Sequence, residues 1–140
     1  MNTREICLPR KLTNQLLHLA QRSPEQEICG LVGADSHGVP VSCYPVDNIA
    51  DTPDRRFQLD SRQQITAMKH MREQQQSLFA IYHSHPSAPA VPSVTDIEQA
   101  AYPDALHLII SLNTKGVLEL RAFNIANQQV KELNLSLTEG

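Results

Sequence analysis

Six histidines are scattered through the chain, but only His83 and His85 stand two residues apart. On an extended segment alternate side chains project to one side, so both imidazoles would face a common point. Imidazole nitrogen binds zinc at about 2.0–2.1 Å, and two imidazoles leave room for a carboxylate and a water. Asp96 can supply the carboxylate if the intervening loop, which holds Pro86, Pro89 and Pro92, folds back. Three protein ligands and one open position make a catalytic rather than a structural zinc site, and its natural chemistry is hydrolysis.

The same residues also fit duller roles. His83 and His85 fit polar positions where a strand leaves the core, and the prolines fit loop stiffening. Ser93-Val94-Thr95-Asp96 matches a capping pattern in which Ser93 caps a helix and Asp96 reaches back to a free amide. On spacing alone the capping reading is the better one for that pair. His18, His37, His70 and His107 receive no role, His107 being read as a packing or surface residue at a strand start. Cys29 reads as a small buried filler.

The elements that must position these residues are legible from periodicity. Glu5 to Leu8 reads as an edge strand, and a helix follows from about Arg10 to Arg22 with Leu12, Leu16, Leu19 and Ala20 at helical spacing. Ile28 to Ala34 and Val39 to Pro45 read as a hairpin around Asp35-Ser36-His37-Gly38. Val46 to Arg56 is a loop, after which Asp60 or Ser61 caps a second helix with Ile65, Met68, Met71 and Arg72 along one face. Leu78 to Tyr82 is a buried strand running into the histidines, and a short helix spans about Thr95 to Ala101. Leu106 to Leu112, Val117 to Phe123 and Val130 to Leu137 complete the sheet, with a turn at Lys115-Gly116. Strands and helices alternate without a linker, so the expectation is one α/β domain over 1–140, a sandwich with a mixed central sheet.

Composition narrows the function classes. A length of 140 residues suits one domain, and no apolar run approaches a membrane span. Met1 to Cys7 carries an acid and no apolar core, so no signal peptide is expected and the location is read as cytoplasmic. The net charge of -3 with scattered basic residues gives no footprint for nucleic acid. Cys7, Cys29 and Cys43 form no C-x-x-C pair, so neither disulfides nor a cysteine zinc knuckle are expected. The H-x-E and P-C-x-x-C of nucleobase deaminases, the H-E-x-x-H of helical metalloproteases and the glycine-rich nucleotide motifs are all absent.

The combination Glu27-Ile28-Cys29-Gly30, then His83-Ser84-His85-Pro86, then Ser93 and Asp96, is more specific than any part of it. It resembles the JAMM, or MPN-plus, metallopeptidases of the stand-alone prokaryotic type. Phe57-Gln58-Leu59-Asp60 and Leu108-Ile109-Ile110-Ser111-Leu112 fall in the family's order, so the likeness spans roughly Glu25 to Phe123. Ala80, where glycine is frequent, is one small-for-small departure. The resemblance implies a JAMM/MPN, cytidine-deaminase-like fold and one Zn2+ per chain held by His83, His85 and Asp96. It further implies Glu27 as the acid–base beside the metal and Ser93 as a hydroxyl that hydrogen-bonds the developing oxyanion. The implied substrate is an amide or isopeptide bond after the C-terminal Gly-Gly of a ubiquitin-like or sulfur-carrier protein, including release of an attached cysteine. Gly30, Gly33 and the 46–56 loop are candidates for lining the tail's approach. A non-catalytic MPN-type interaction module is the alternative, and it predicts a broken ligand set. Oligomeric state is not legible.

Overall fold

The computed structural model describes residues 5–113 and 118–139; the Lys115-Gly116 turn and the start of the strand expected from Val117 lie outside them. The elements are β1 (Glu5–Pro9), α1 (Arg10–Gln21), β2 (Cys29–Ala34), β3 (Pro40–Val46), α2 (Ser61–Glu73), β4 (Ser77–His85), α3 (Val94–Glu98), β5 (Leu106–Ser111), β6 (Glu119–Ala126) and β7 (Gln129–Thr138). The seven strands form one sheet in the order β1-β7-β6-β5-β4-β2-β3. Pairing is parallel for β4/β5 and β1/β7 and antiparallel elsewhere, which makes the sheet mixed as expected. The edge strands β1 and β3 both contact α1 and each other, so the sheet curls around that helix.

Alternation along β4 sorts the two faces. Ala80 and Tyr82 point towards α1 and pack with Leu12, Leu16, Ala20, Leu108 and Ile110. Ile81 points the other way, packing with Leu31, Ala67 and Met71 beneath α2. His83 and His85 continue the Ile81 parity, so both histidines emerge on the α2 and α3 side. Helix α1 begins directly after Pro9, and its apolar stripe is the expected one.

Helix α2 is capped by Asp60, whose carboxylate accepts from the Arg62 and Gln63 amides at 2.9 and 3.2 Å. Its buried face differs from the expected one, because Ile65 is 68% exposed and Arg72 is also exposed. The stripe is instead Gln64, Ala67, Met68 and Met71; Ile65 lies on the order of 100° round the helix from its centre. A polar residue on the inner face hid this pattern, since Gln64 donates its side-chain amide to the Tyr102 hydroxyl at 2.7 Å. Helix α3 ends at Glu98, shorter than the expected span to Ala101.

Gly30 and Gly33 do not line an approach to the site. A Cβ at Gly30 would collide with the Tyr82 hydroxyl and the Tyr44 carbonyl, and one at Gly33 with the Gln76 side chain. Both glycines therefore let neighbouring groups lie against β2. Gly30→Ala is expected to cost about 1–3 kcal/mol through overpacking. The midpoint of denaturant unfolding checks this, and an unchanged midpoint would remove the packing explanation.

Candidate metal centre

Strand β4 ends on the two histidines, held between β2 and β5. The following loop does fold back. His85 Nδ1 donates to the Pro89 carbonyl at 2.7 Å, and Ser111 Oγ on β5 donates to the Ala88 carbonyl at 2.8 Å. The loop thereby delivers Asp96 to the histidines. His83 Nε2 and His85 Nε2 are 3.0 Å apart, and Asp96 Oδ2 lies 3.1 and 3.2 Å from them. All three side chains are buried.

The capping role of Ser93 and Asp96 is also present. Ser93 Oγ accepts from the Asp96 amide at 3.0 Å, and the Ser93 amide donates to Asp96 Oδ2 at 2.8 Å. The oxygen that closes the capping box is thus the one facing the imidazoles. The two readings of this segment describe one arrangement, because capping is what fixes the carboxylate at that angle.

The donor set suits a metal ion on grounds of charge. A carbonyl can only accept, so His85 carries its proton on Nδ1 and presents a lone pair from Nε2 when neutral. Asp96 Oδ2 presents another, and a positive charge must lie among these atoms, either a proton or a metal ion. A tetrahedral ion with bonds of about 2.0–2.1 Å separates its ligand atoms by about 3.3 Å, close to the spacing seen here. Burial lowers the pKa of His83. Burial also opposes charge on His85, but hydrogen bonds to Asp96 and Pro89 outweigh it and raise the pKa. For Asp96 burial acts upwards, yet the two histidines and the Ser93 amide hold it well below the usual carboxylate range.

Glu27 stands next to this group. It is 4% exposed, and its Oε1 has no hydrogen-bond partner among the described residues. A carboxylate oxygen of Glu27 and one nitrogen of each histidine all fall within 4.8 Å of one another. Two carboxylates therefore flank the imidazoles, Asp96 at hydrogen-bond distance and Glu27 as a member of this looser group. Burial pushes the Glu27 pKa up to about 7, opposed by His85 and reinforced by Asp96 and Asp54. Cys29, two residues on, donates to the Val46 carbonyl at 3.4 Å, and burial with Glu27 and Asp47 nearby pushes its pKa up to about 12. It is no nucleophile.

Several residues that sequence reasoning left without a role stand around the centre. Ser84, between the histidines, points to the opposite face and accepts the Ile28 amide at 2.9 Å, tying β4 to the segment after Glu27. The alternation of a strand was the available signal for it. Phe57 stacks on His83 with ring centroids 4.3 Å apart and planes 23° from parallel. His107 is buried, with Nε2 unpartnered among the described residues, and burial lowers its pKa to about 4. A cleft of about 550 Å³ bordered by Glu27 is lined by Val46 to Ile49, the first part of the 46–56 loop. A second cleft of about 260 Å³ opens on the other side, between Asp96, Phe57, Tyr102 and His107.

Buried imidazole and carboxylate donors with a second, unpaired carboxyl alongside suit metal-assisted hydrolysis. The family model described as prokaryotic homologs of the JAB domain matches residues 9–126, and the chain belongs to that family. It is 31% identical over 129 residues to the CysO-cysteine peptidase of Mycobacterium tuberculosis, covering 91% of this chain and 88% of that protein. It is 33% identical over 93 residues to the desampylase of Haloferax volcanii, covering 66% of this chain and 67% of that one. Its fold is similar to the solution structure of protein DSY2949 from Desulfitobacterium hafniense, with a TM-score of 0.85, 32% identity and coverage of 98% and 94%. The chain is a hydrolytic enzyme of this family.

Proposed function

We propose that the chain is a zinc peptidase acting on the amide bond after the C-terminal Gly-Gly of a ubiquitin-like or sulfur-carrier protein. It would process the tail or release an attached amino acid such as cysteine. The reading is supported by kinship with a peptidase that acts on a cysteine conjugate and with a desampylase. The observation that carries it is the convergence of His83, His85 and Asp96 at 3.0–3.2 Å with Glu27 unpaired beside them.

In this reading His83 Nε2, His85 Nε2 and Asp96 Oδ2 would hold one zinc ion. Bound there, zinc supplies a Lewis acid and makes a water acidic enough to lose a proton near neutral pH. Glu27 would take that proton and later deliver it to the leaving nitrogen, a task suited to a buried carboxyl whose Oε1 has no other partner among the described residues. Ser93 Oγ uses a lone pair for the Asp96 amide, which leaves its O–H to donate to the carbonyl oxygen as it becomes an oxyanion. An extended tail fits the cleft beside Glu27, where Val46 to Ile49 form one wall.

The proposal treats 1–140 as a single catalytic domain, supported by one sheet that runs from β1 to β7. It also places the protein in the cytoplasm, consistent with Cys7, Cys29 and Cys43 all being free thiols. No helix among the described residues is long and apolar enough to cross a membrane. Carrier proteins ending in Gly-Gly, extended by cysteine or a short peptide, test the activity. Cleavage after the second glycine is expected, and is expected to stop when that glycine is replaced by a larger residue. Metal-loaded protein that binds such carriers without cutting them would point instead to an interaction module.

A further inference from the structure

Asn48 lies in the loop between β3 and α2, and its side chain bonds backbone groups rather than any side chain given a chemical role. Its amide makes four hydrogen bonds, the full capacity of the group. Nδ2 donates to the Glu27 and Arg56 carbonyls at 3.0 Å each, and Oδ1 accepts from the Ala50 and Gln58 amides at 3.0 Å each. All four partners are backbone groups. Carbonyls only accept and amide N–H groups only donate, so the orientation of the side chain is fixed without ambiguity.

The partners place this amide between two parts of the centre. One is the peptide of Glu27, whose carbonyl is taken by Asn48 and whose N–H donates to the Pro53 carbonyl of the same loop at 2.7 Å. The other is Phe57, which is bracketed on both sides: Arg56 and Gln58 both bond Asn48, and the Gln58 carbonyl accepts from Ile49 at 2.9 Å. Phe57 in turn stacks on His83. One neutral side chain thus sets the backbone of the buried acid and the ring that backs a histidine. We infer that Asn48 is a positioning residue that holds Glu27 and Phe57 in register against His83 and His85. The inference rests on the reading of Glu27 as the acid–base group.

Asn48→Ala and Asn48→Asp test it together. The alanine variant strips all four bonds. The aspartate variant keeps an acceptor for Ala50 and Gln58 but sets a carboxylate oxygen against the Glu27 and Arg56 carbonyls, so it separates holding the loop from holding Glu27. In zinc-loaded protein both are expected to keep wild-type zinc per chain and a nearly unchanged KM, with kcat lowered about 10–100-fold, as for misplaced catalytic groups and lost supporting partners. Hydrogen exchange at the Glu27 amide should quicken while amides in β4 and β5 keep their protection. Wild-type kcat with wild-type protection at Glu27 in both variants would overturn the inference. So would loss of folding in both, which would make Asn48 merely structural. If wild-type protein cuts no carrier, the proposed activity fails, and exchange at the Glu27 amide decides the positioning role alone.

Discussion

Glu27→Gln is expected to lower turnover by about 10²–10⁴-fold, the range for loss of a general acid–base group, and to leave the metal content at the wild-type level. The substitution keeps the size of the side chain and removes its ability to take or give a proton. Its effect should be so specific because the rest of the site does not lean on this carboxylate: Oε1 has no partner, and the backbone of residue 27 is held by Asn48 and Pro53 whatever the side chain. Kinetics with a carrier substrate and elemental analysis of the same sample check the two halves of the expectation. Loss of metal in this variant would make Glu27 a ligand and exchange its role with that of Asp96.

His85→Ala is expected to remove metal and activity together. Its imidazole is oriented from behind by the Pro89 carbonyl, which fixes the tautomer, and from the front it meets both His83 and Asp96. Partners that only support a ligand are worth about 10–100-fold in metal affinity, so deleting a ligand should cost more. The variant also frees the 86–93 loop from one of its tethers, while Ser111 and the packing of Ala90 against Ile109 and Phe123 still hold it. Proteolytic cleavage within that loop should therefore quicken even in metal-stripped protein. A variant that bound zinc as wild type does would remove His85 from the ligand set.

The contrast between the two variants depends on geometry that the sequence carried unevenly. Alternation put His83 and His85 on one side of β4, and that inference needed only the period of a strand. Spacing alone fits Asp96 both as a helix cap and as a ligand, because it cannot say where a proline-rich loop returns. In the fold both geometries are met by one oxygen. Helix α1 is legible because Leu12, Leu16 and Ala20 recur at helical spacing, and the one polar residue buried with them, Thr13, does not break that stripe. Periodicity points to Ile65 on the inner face of α2, whereas the structure places Gln64 there, a polar residue satisfied by Tyr102. Gly30 and Gly33 suggested close approach, and the sequence could not show that Tyr82 and Gln76, not a substrate, are what approach them. Asn48 carried no local signal. Its four partners lie at residues 27, 50, 56 and 58, and only folding brings the first of these to it.

The direct test of the account is zinc per chain, measured by elemental analysis for wild type and Asp96→Asn side by side after zinc is supplied and the excess removed. The account expects about one zinc per wild-type chain and a strongly reduced content in the variant, since three donors around one open position become two. No metal in the wild type would contradict it and reduce Ser93 and Asp96 to a helix cap. Equal metal in both proteins would contradict the ligand set and give the carboxylate role to Glu27.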